Sequence, residues 1–298
     1  MIKNILITGA GGFIGRNLKE HLKDKYNLLT PSHLELDLMD SEAVKDYFNI
    51  NPIDIVVHCA SAGAKGYKGV GAEKIPQQID VVSQNLRMFF NILDNLKDKR
   101  LINFGSGAEY DKTKEITKVR EGDFGKSVPP EMYAFSKYAI SKYIESSDRD
   151  IINLRFFAIY GKYEDYKVRF ISRAICRNLL GLPIVINKNA VFDYLYIDDV
   201  AKIVDYFINN KSSEKIYNAG SGNPIELLAV AQLINEIAGN PSEIIVQNPG
   251  FNNEYSCDIS KLKKELGEFE FIPLKEGIKR LYDYYKENLN EIDKKGLV

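Results

Sequence analysis

Tyr133 and Lys137 stand four residues apart in Met132-Tyr133-Ala134-Phe135-Ser136-Lys137, shortly after Pro129-Pro130. Proline favours a helix start, so the two side chains are expected one turn apart on a shared helix face. An isolated phenol titrates at about pH 10 and exchanges protons poorly at neutrality, whereas an ammonium one turn away favours its ionised form. Upstream, the apolar run Leu101-Ile102-Asn103-Phe104 closes in Gly105-Ser106. A serine hydroxyl at a strand end can hydrogen-bond a substrate oxygen and orient it. Phenol, ammonium and alcohol together form a device for passing a proton to or from one oxygen.

The elements that must position these groups begin at the N-terminus. Ile5-Leu6-Ile7 is a short continuous apolar run, as expected of a strand buried on both faces, and it stops at Thr8-Gly9. A glycine turn follows, Gly9-Ala10-Gly11-Gly12-Phe13-Ile14-Gly15-Arg16, and the spacing of Phe13, Ile14, Leu18 and Leu22 is that of one helix face. Strand, glycine loop and helix in that order make a dinucleotide site: backbone N–H groups and the positive helix end meet a diphosphate. A second strand, Tyr26 to Thr30, runs into Pro31-Ser32-His33 with no acid at positions 30 to 33. A carboxylate there would take the ribose hydroxyls of NAD and repel a 2′-phosphate, so its absence, with Ser32, His33 and Arg16 nearby, favours NADP and leaves NAD possible.

Further along, Leu34-Glu35-Leu36-Asp37-Leu38 reads as a strand by alternation, and Asp40-Ser41 as the cap of a helix to about Asn49. Ile53 to His58 is a buried strand ending in Cys59-Ala60-Ser61, with His58 read as a core histidine. The segment Ala62 to Gly71, rich in glycine and lysine, reads as a loop beside the site, from which Lys65 and Lys68 could reach a substrate phosphate. Asp80 to Leu96 is a long helix carrying Asn85; Ile151 to Phe156 is a strand; Val168 to Leu180 is a helix presenting Arg169, Arg173 and Arg177 on one face. Phe192 to Ile197 is a strand leading to a helix at Asp198-Asp199, and another helix spans about Pro224 to Ala238. Strands alternating with helices predict an α/β fold with a doubly wound parallel sheet.

Bulk properties exclude several classes. The chain has 298 residues, 45% hydrophobic and 27% charged, which is globular composition, and its net charge of -1 offers no field for nucleic acid or an anionic membrane. No run approaches the roughly twenty apolar residues of a membrane span, and no signal-peptide pattern precedes the first strand, so a cytoplasmic protein is expected. Cys59, Cys176 and Cys257 fit neither a disulfide framework nor a zinc site, and no metal is expected.

The glycine spacing, Ser106, Tyr133, Lys137, Tyr160-Gly161, Asp198-Asp199 and Asp258-Ile259-Ser260-Lys261 together resemble the extended short-chain dehydrogenases/reductases of the NAD(P)-dependent epimerase/dehydratase family, over nearly the whole chain. The resemblance implies a Rossmann domain over 1–160, with 187–210 returning to it, and a smaller C-terminal substrate-binding lobe over 161–186 and 211–298. It implies a nucleotide-sugar substrate and a homodimer formed through the helices of Asn85 and Tyr133. Asp37 would lie beside the adenine, and Leu38, Ala60, Ser61, Asn85 and Phe156 would line the cofactor with Tyr133 and Lys137. Gly107, Ala108, Ala158, Arg169, Arg173 and Lys65 would face the sugar nucleotide with Ser106. Lys137 would sit near the nicotinamide ribose and, with the oxidised ring, lower the Tyr133 pKa.

Departures from the family pattern narrow the reaction. Sugar 4,6-dehydratases carry Asp-Glu after the catalytic hydroxyl residue, where this chain has Gly107-Ala108 and an acid only at Glu109. GDP-fucose synthases are similar around Glu35 to Ser41 and at Gly105-Ser106, but they epimerise with a cysteine and a histidine. Ala108 holds the cysteine position, and no histidine follows His58. The expectation is an NADP-dependent reductase of a nucleotide-activated 4-keto-6-deoxy sugar, with Tyr133 protonating the oxygen at C4. An NAD-dependent 4-epimerase is the alternative, and a cofactor-binding protein without catalysis a third.

Overall fold

The computed structural model describes residues 2–63 and 80–297; Lys65 and Lys68 lie outside the described residues. Six strands form an all-parallel sheet in the order Ile216–Ala219, Ile151–Phe156, Arg100–Ser106, Ile55–His58, Asn4–Thr8, Asn27–Leu29. The chain winds outward in both directions from Asn4–Thr8, so this is the doubly wound α/β sheet expected from the alternation of elements. Its registers pair Thr8 with His58, His58 with Asn103, and Ser106 with Phe156. The strands' carboxyl ends are therefore aligned, and the crevice at the reversal of strand order opens beside Thr8 and His58.

Ile5, Leu6, Ile7, Val56, Val57, Leu101 and Ile102 are fully buried, since helices cover both faces of the sheet. The helix Val81–Leu96 is capped by Asp80, and the helix Met132–Ser146 by Glu131, whose carboxylate accepts from the amides of Tyr133 and Ala134. The two helices are bound by edge-to-face packing of Tyr143 on Phe90, with ring centres 5.0 Å apart. Among the described residues no helix is long and apolar enough to cross a membrane.

Three local expectations are corrected. Leu34–Leu38 is not a strand: the amides of Glu35 and Leu36 bond back to the Ser32 carbonyl, and Leu36 and Leu38 are buried against the Val44 and Phe89 cluster. A docked turn can bury alternate leucines as a strand does. The run Phe192 to Ile197 is broken at Asp193, fully buried, which accepts from the amides of Ser221 and Gly222 and the Ser221 hydroxyl. Its halves, Val191–Phe192 and Leu195–Tyr196, join different sheets. Finally, the sixth strand of the parallel sheet, Ile216–Ala219, comes from the stretch expected to belong wholly to the substrate lobe.

The C-terminal part adds a second, smaller sheet in the order Ile225–Glu226, Val191–Phe192, Tyr255–Cys257, Ile116–Val119. Because Tyr255–Cys257 pairs with Ile116–Val119, the chain's distal third is brought against the turn that follows Ser106.

Candidate active site

The glycine turn is shaped by its own backbone. Gly9 has φ of +68°, and a Cβ there would lie 2.8 Å from the Ala60 backbone. A Cβ on Gly15 would lie 2.4 Å from the Gly9 carbonyl oxygen, whereas one on Gly11 would meet nothing within 4 Å. The helix Phe13–Leu22 starts at Gly12 without a side-chain cap and with no acid in its first turn. Its first amides and dipole are thus uncompensated from within, and the open space above Gly11 suits a diphosphate. Gly15→Ala should lower Tm by several degrees through backbone overlap. Gly11→Ala should leave Tm unchanged yet weaken nicotinamide dinucleotide binding at least tenfold, as checked by thermal melts and fluorescence titration.

Around the expected ribose end the sequence reading needs revision. Glu35 folds back so that its carboxylate accepts the Ser32 amide at 2.7 Å, and His33 lies 3.8 Å from the Asp37 carboxylate. Arg16 is placed with its guanidinium 5.6 Å from the Tyr163 ring centre. An acid therefore stands at Ser32 although none occurs at positions 30 to 33, because the turn brings it there from three residues on.

Ser106 ends its strand and caps the following turn, Gly107–Tyr110. Its hydroxyl oxygen accepts from the Ala108 amide at 3.1 Å, and its own amide donates to the Glu109 carboxylate at 2.8 Å. Glu109 is fully buried and points away from the crevice, accepting from Arg155 Nε at 2.7 Å and from the Ser141 hydroxyl. Arg155, also fully buried, continues to the Tyr110 hydroxyl and lies 3.8 Å from the Phe124 ring centre. The fixed capping partners hold the serine's strand end in one conformation.

Tyr133 and Lys137 lie one turn apart as expected, with Lys137 Nζ 6.0 Å from the Tyr133 ring centre. Lys137 donates to the Phe104 carbonyl at 2.8 Å, next to the Ser106 strand end. The expected lowering of the phenol pKa is not what the protein alone provides. Burial raises the Tyr133 phenol above its ordinary value, and the influence of the nearby Ser106 hydroxyl offsets only part of this. Lys137 is itself pushed down to about 8 by burial, with Glu109 pulling the other way. A buried ammonium bonded to a backbone carbonyl is a weaker influence on the phenol than desolvation.

The other sequence-named residues fall into place unevenly. Asn85 accepts from the Ala62 amide at 2.7 Å and the Ser61 hydroxyl at 3.3 Å, and donates to Ser136 at 2.8 Å. It thereby ties the Ala60-Ser61 strand end to the Tyr133 helix. His58 is a core histidine, bonded to Thr8 at 2.8 Å and pushed down to about 3 by burial and then by the Lys137 charge. Phe156 stacks on Phe104 with ring centres 4.7 Å apart, Ala158 packs in the aromatic cluster around Phe157, and the Leu38 carbonyl accepts from Asn91. Of the three arginines, Arg169 acts electrostatically on Tyr133, whereas Arg173 donates to the Lys167 carbonyl and Arg177 is buried on the carbonyls of Pro183 and Leu297. The single face inferred from spacing is therefore split: the guanidinium of Arg177 serves the fold.

Two residues at the site escaped the sequence reading. The Tyr255 hydroxyl lies beside the turn after Ser106, where a Cβ on Gly107 would meet it at 2.6 Å, and its ring packs on Phe157 at 4.8 Å between centres. Lys112 Nζ lies 4.2 Å from the Tyr255 ring centre and is pushed down to about 8, by burial first and by the Arg169 charge second. Both arrive through the pairing of Tyr255–Cys257 with Ile116–Val119, for which no local motif exists.

A sequence model described as the NAD dependent epimerase/dehydratase family matches residues 5–220. The chain is 26% identical to the GDP-L-colitose synthase of Yersinia pseudotuberculosis, over 96% of this chain and 99% of that one. It is similar in fold to a UDP-glucose 4-epimerase of Thermotoga maritima, with TM-score 0.81, 22% identity and coverage of 96% and 99%. A GDP-mannoheptose C4 reductase of Campylobacter jejuni with NADP bound superposes with TM-score 0.78 at 24% identity, covering 96% and 98%.

Proposed function

Since the chain belongs to the NAD-dependent epimerase/dehydratase family, and is thereby an NAD(P)-dependent oxidoreductase or epimerase, we propose that it reduces the C4 carbonyl of a nucleotide-activated 4-keto-6-deoxy sugar. The observation that carries this reading is the placement of Tyr133 and Lys137 one turn apart, with Lys137 anchored on the Phe104 carbonyl beside the Ser106 strand end. The Tyr133 phenol, raised by burial, keeps its proton at neutral pH and can give it to an oxygen. The glycine turn Gly9–Gly15 would hold the cofactor, read as NADPH, whose chemistry would be hydride donation. Ser106 donates to the carbonyl oxygen and orients it; Tyr133 delivers the proton as that oxygen gains charge, so the C=O becomes CH–OH. Lys137, fixed by the Phe104 carbonyl, places positive charge behind the phenol.

Among the described residues, the positions after Ser106 carry none of the groups expected for elimination or ring-proton removal, being Gly107 and Ala108. Glu109 is committed to Ser106, Ser141 and Arg155, and a Cβ at Gly107 would lie 2.6 Å from both the Phe157 ring and the Tyr255 hydroxyl. The relatives named as a GDP-L-colitose synthase and a GDP-mannoheptose C4 reductase support a sugar attached to a nucleoside diphosphate, with Arg169 and Arg173 as candidate phosphate contacts. The chain is read as a cytoplasmic homodimer joined through the helices Val81–Leu96 and Met132–Ser146, with Met132 (55% exposed) and Phe135 (38% exposed) toward that interface.

Loss of NADPH absorbance with GDP- and dTDP-linked 4-keto-6-deoxy sugars tests the reading. Oxidation of one NADPH per sugar is expected. Inversion of a non-keto sugar without net cofactor consumption would instead establish an epimerase. That second reading, with NAD, is favoured by the Glu35 carboxylate at Ser32. For the same reason Glu35→Gln should shift the KM ratio toward NADPH over NADH severalfold, as charge repulsion toward a 2′-phosphate is relieved. Steady-state kinetics with both cofactors would read this directly.

A further inference from the structure

We infer that Ser136 is a positioning residue, the link through which Asn85 holds the turn of Tyr133 in a fixed place against the strand end Ala60-Ser61-Ala62. The inference rests on the reading of Tyr133 as the proton donor and extends it to what keeps the phenol in place. Ser136 lies in the catalytic turn itself, between Tyr133 and Lys137, and is fully buried; Asn85, on the helix Val81–Leu96, is 2% exposed. A hydroxyl and a carboxamide so deeply placed must find partners in each other or in the backbone, because a buried polar group left unpaired is costly.

Their bonds run in one direction. The Ala62 amide can only donate, and it gives its hydrogen to Asn85 Oδ1 at 2.7 Å. Asn85 Nδ2 donates to the Ser136 oxygen at 2.8 Å and to the Ala62 carbonyl at 3.2 Å. The Tyr133 carbonyl can only accept, and it takes the Ser136 hydrogen at 2.7 Å. With an obligate donor at one end and an obligate acceptor at the other, neither a flip of the Asn85 amide nor a rotation of the Ser136 hydroxyl offers a second chain of equal quality. Asn85 thus grips both backbone groups of Ala62, and Ser136 carries that hold to the backbone of Tyr133. A serine bonded back onto the preceding turn helps to set that turn's bend, and the turn concerned is the one that separates Tyr133 from Lys137. Lys137 has its own anchor on the Phe104 carbonyl at 2.8 Å, so the link through Ser136 bears on the phenol rather than on the ammonium.

The full chain carrying Ser136→Ala tests this role, with Ser136→Cys as a second variant, since a thiol is a weaker donor and acceptor than the hydroxyl it replaces. Without substrate, amide exchange followed by NMR should be about tenfold faster at Ala62 in Ser136→Ala, while the core strand Arg100–Ser106 keeps its wild-type protection. In reduction of a GDP-4-keto-6-deoxy sugar, Ser136→Ala should lower kcat about tenfold with KM for NADPH unchanged, as a misplacement of roughly half an ångström would. Ser136→Cys should fall between it and wild type. In the Tyr133→Phe background Ser136→Ala should have no further effect on the residual rate, because the hydroxyl it positions is gone. An equal loss of rate in both backgrounds, unchanged exchange at Ala62, or a matching loss of protection along Arg100–Ser106 would overturn the proposal. The exchange measurement needs no substrate, so failure of every keto sugar to turn over would refute the functional reading alone.

Discussion

Tyr133→Phe is expected to reduce kcat for carbonyl reduction by about 10²–10⁴-fold, the usual contribution of a positioned general acid. KM for NADPH should change little, because the substitution removes one oxygen from a ring that stays packed. The pH profile gives an independent reading. Burial raises the Tyr133 phenol, so it remains protonated through the neutral and mildly alkaline range. Lys137, held at about 8 chiefly by burial, is cationic below that pH and neutral above it. Activity that depends on its charge should therefore be level near neutrality and fall as pH rises past about 8. Lys137→Met should lose that alkaline limb along with most of the rate. Steady-state rates at saturating NADPH from pH 6 to 9 would check both statements.

The second large effect is on stability. Glu109→Gln keeps an oxygen for the Ser106 amide but leaves the Arg155 guanidinium buried without its counter-charge. Removing one partner of a buried ion pair costs about 3–5 kcal/mol. Burial alone would disfavour the Arg155 charge, and the influence of Glu109 and Tyr110 outweighs it, so the pair is interdependent. Chemical denaturation should show this loss. Replacing both residues, Glu109→Leu with Arg155→Met, should recover much of the stability, since an apolar pair of similar volume has no charge to desolvate. It should lower the rate, because leucine leaves the Ser106 amide without its partner.

What could be read from the sequence was what is encoded locally. The apolar run Ile5 to Ile7, the glycines that follow it and the four-residue spacing of Tyr133 and Lys137 each specify a geometry within one turn or one strand. The parallel sheet follows from the alternation of such elements. The parts that were not legible depend on long-range pairing or on a side chain folding back. Tyr255 comes beside Gly107, in the turn after Ser106, because its strand pairs with one nearly 140 residues earlier, a register that no short window records. Glu35 reaches Ser32 because a turn replaces the strand that the leucine alternation imitates. The coupling of Lys137 to Tyr133 was overestimated because spacing along a helix says nothing of burial, and burial decides the phenol's state here.

Transfer of isotope tests the central assignment most directly. NADPH carrying deuterium at both C4 positions, incubated with a GDP-4-keto-6-deoxy sugar, should give a product with one deuterium at sugar C4 for each NADP⁺ formed, and the Tyr133→Phe protein should form almost none. A product inverted at C4 with no deuterium and no net NADP⁺, or equal transfer by the Tyr133→Phe protein, would contradict it.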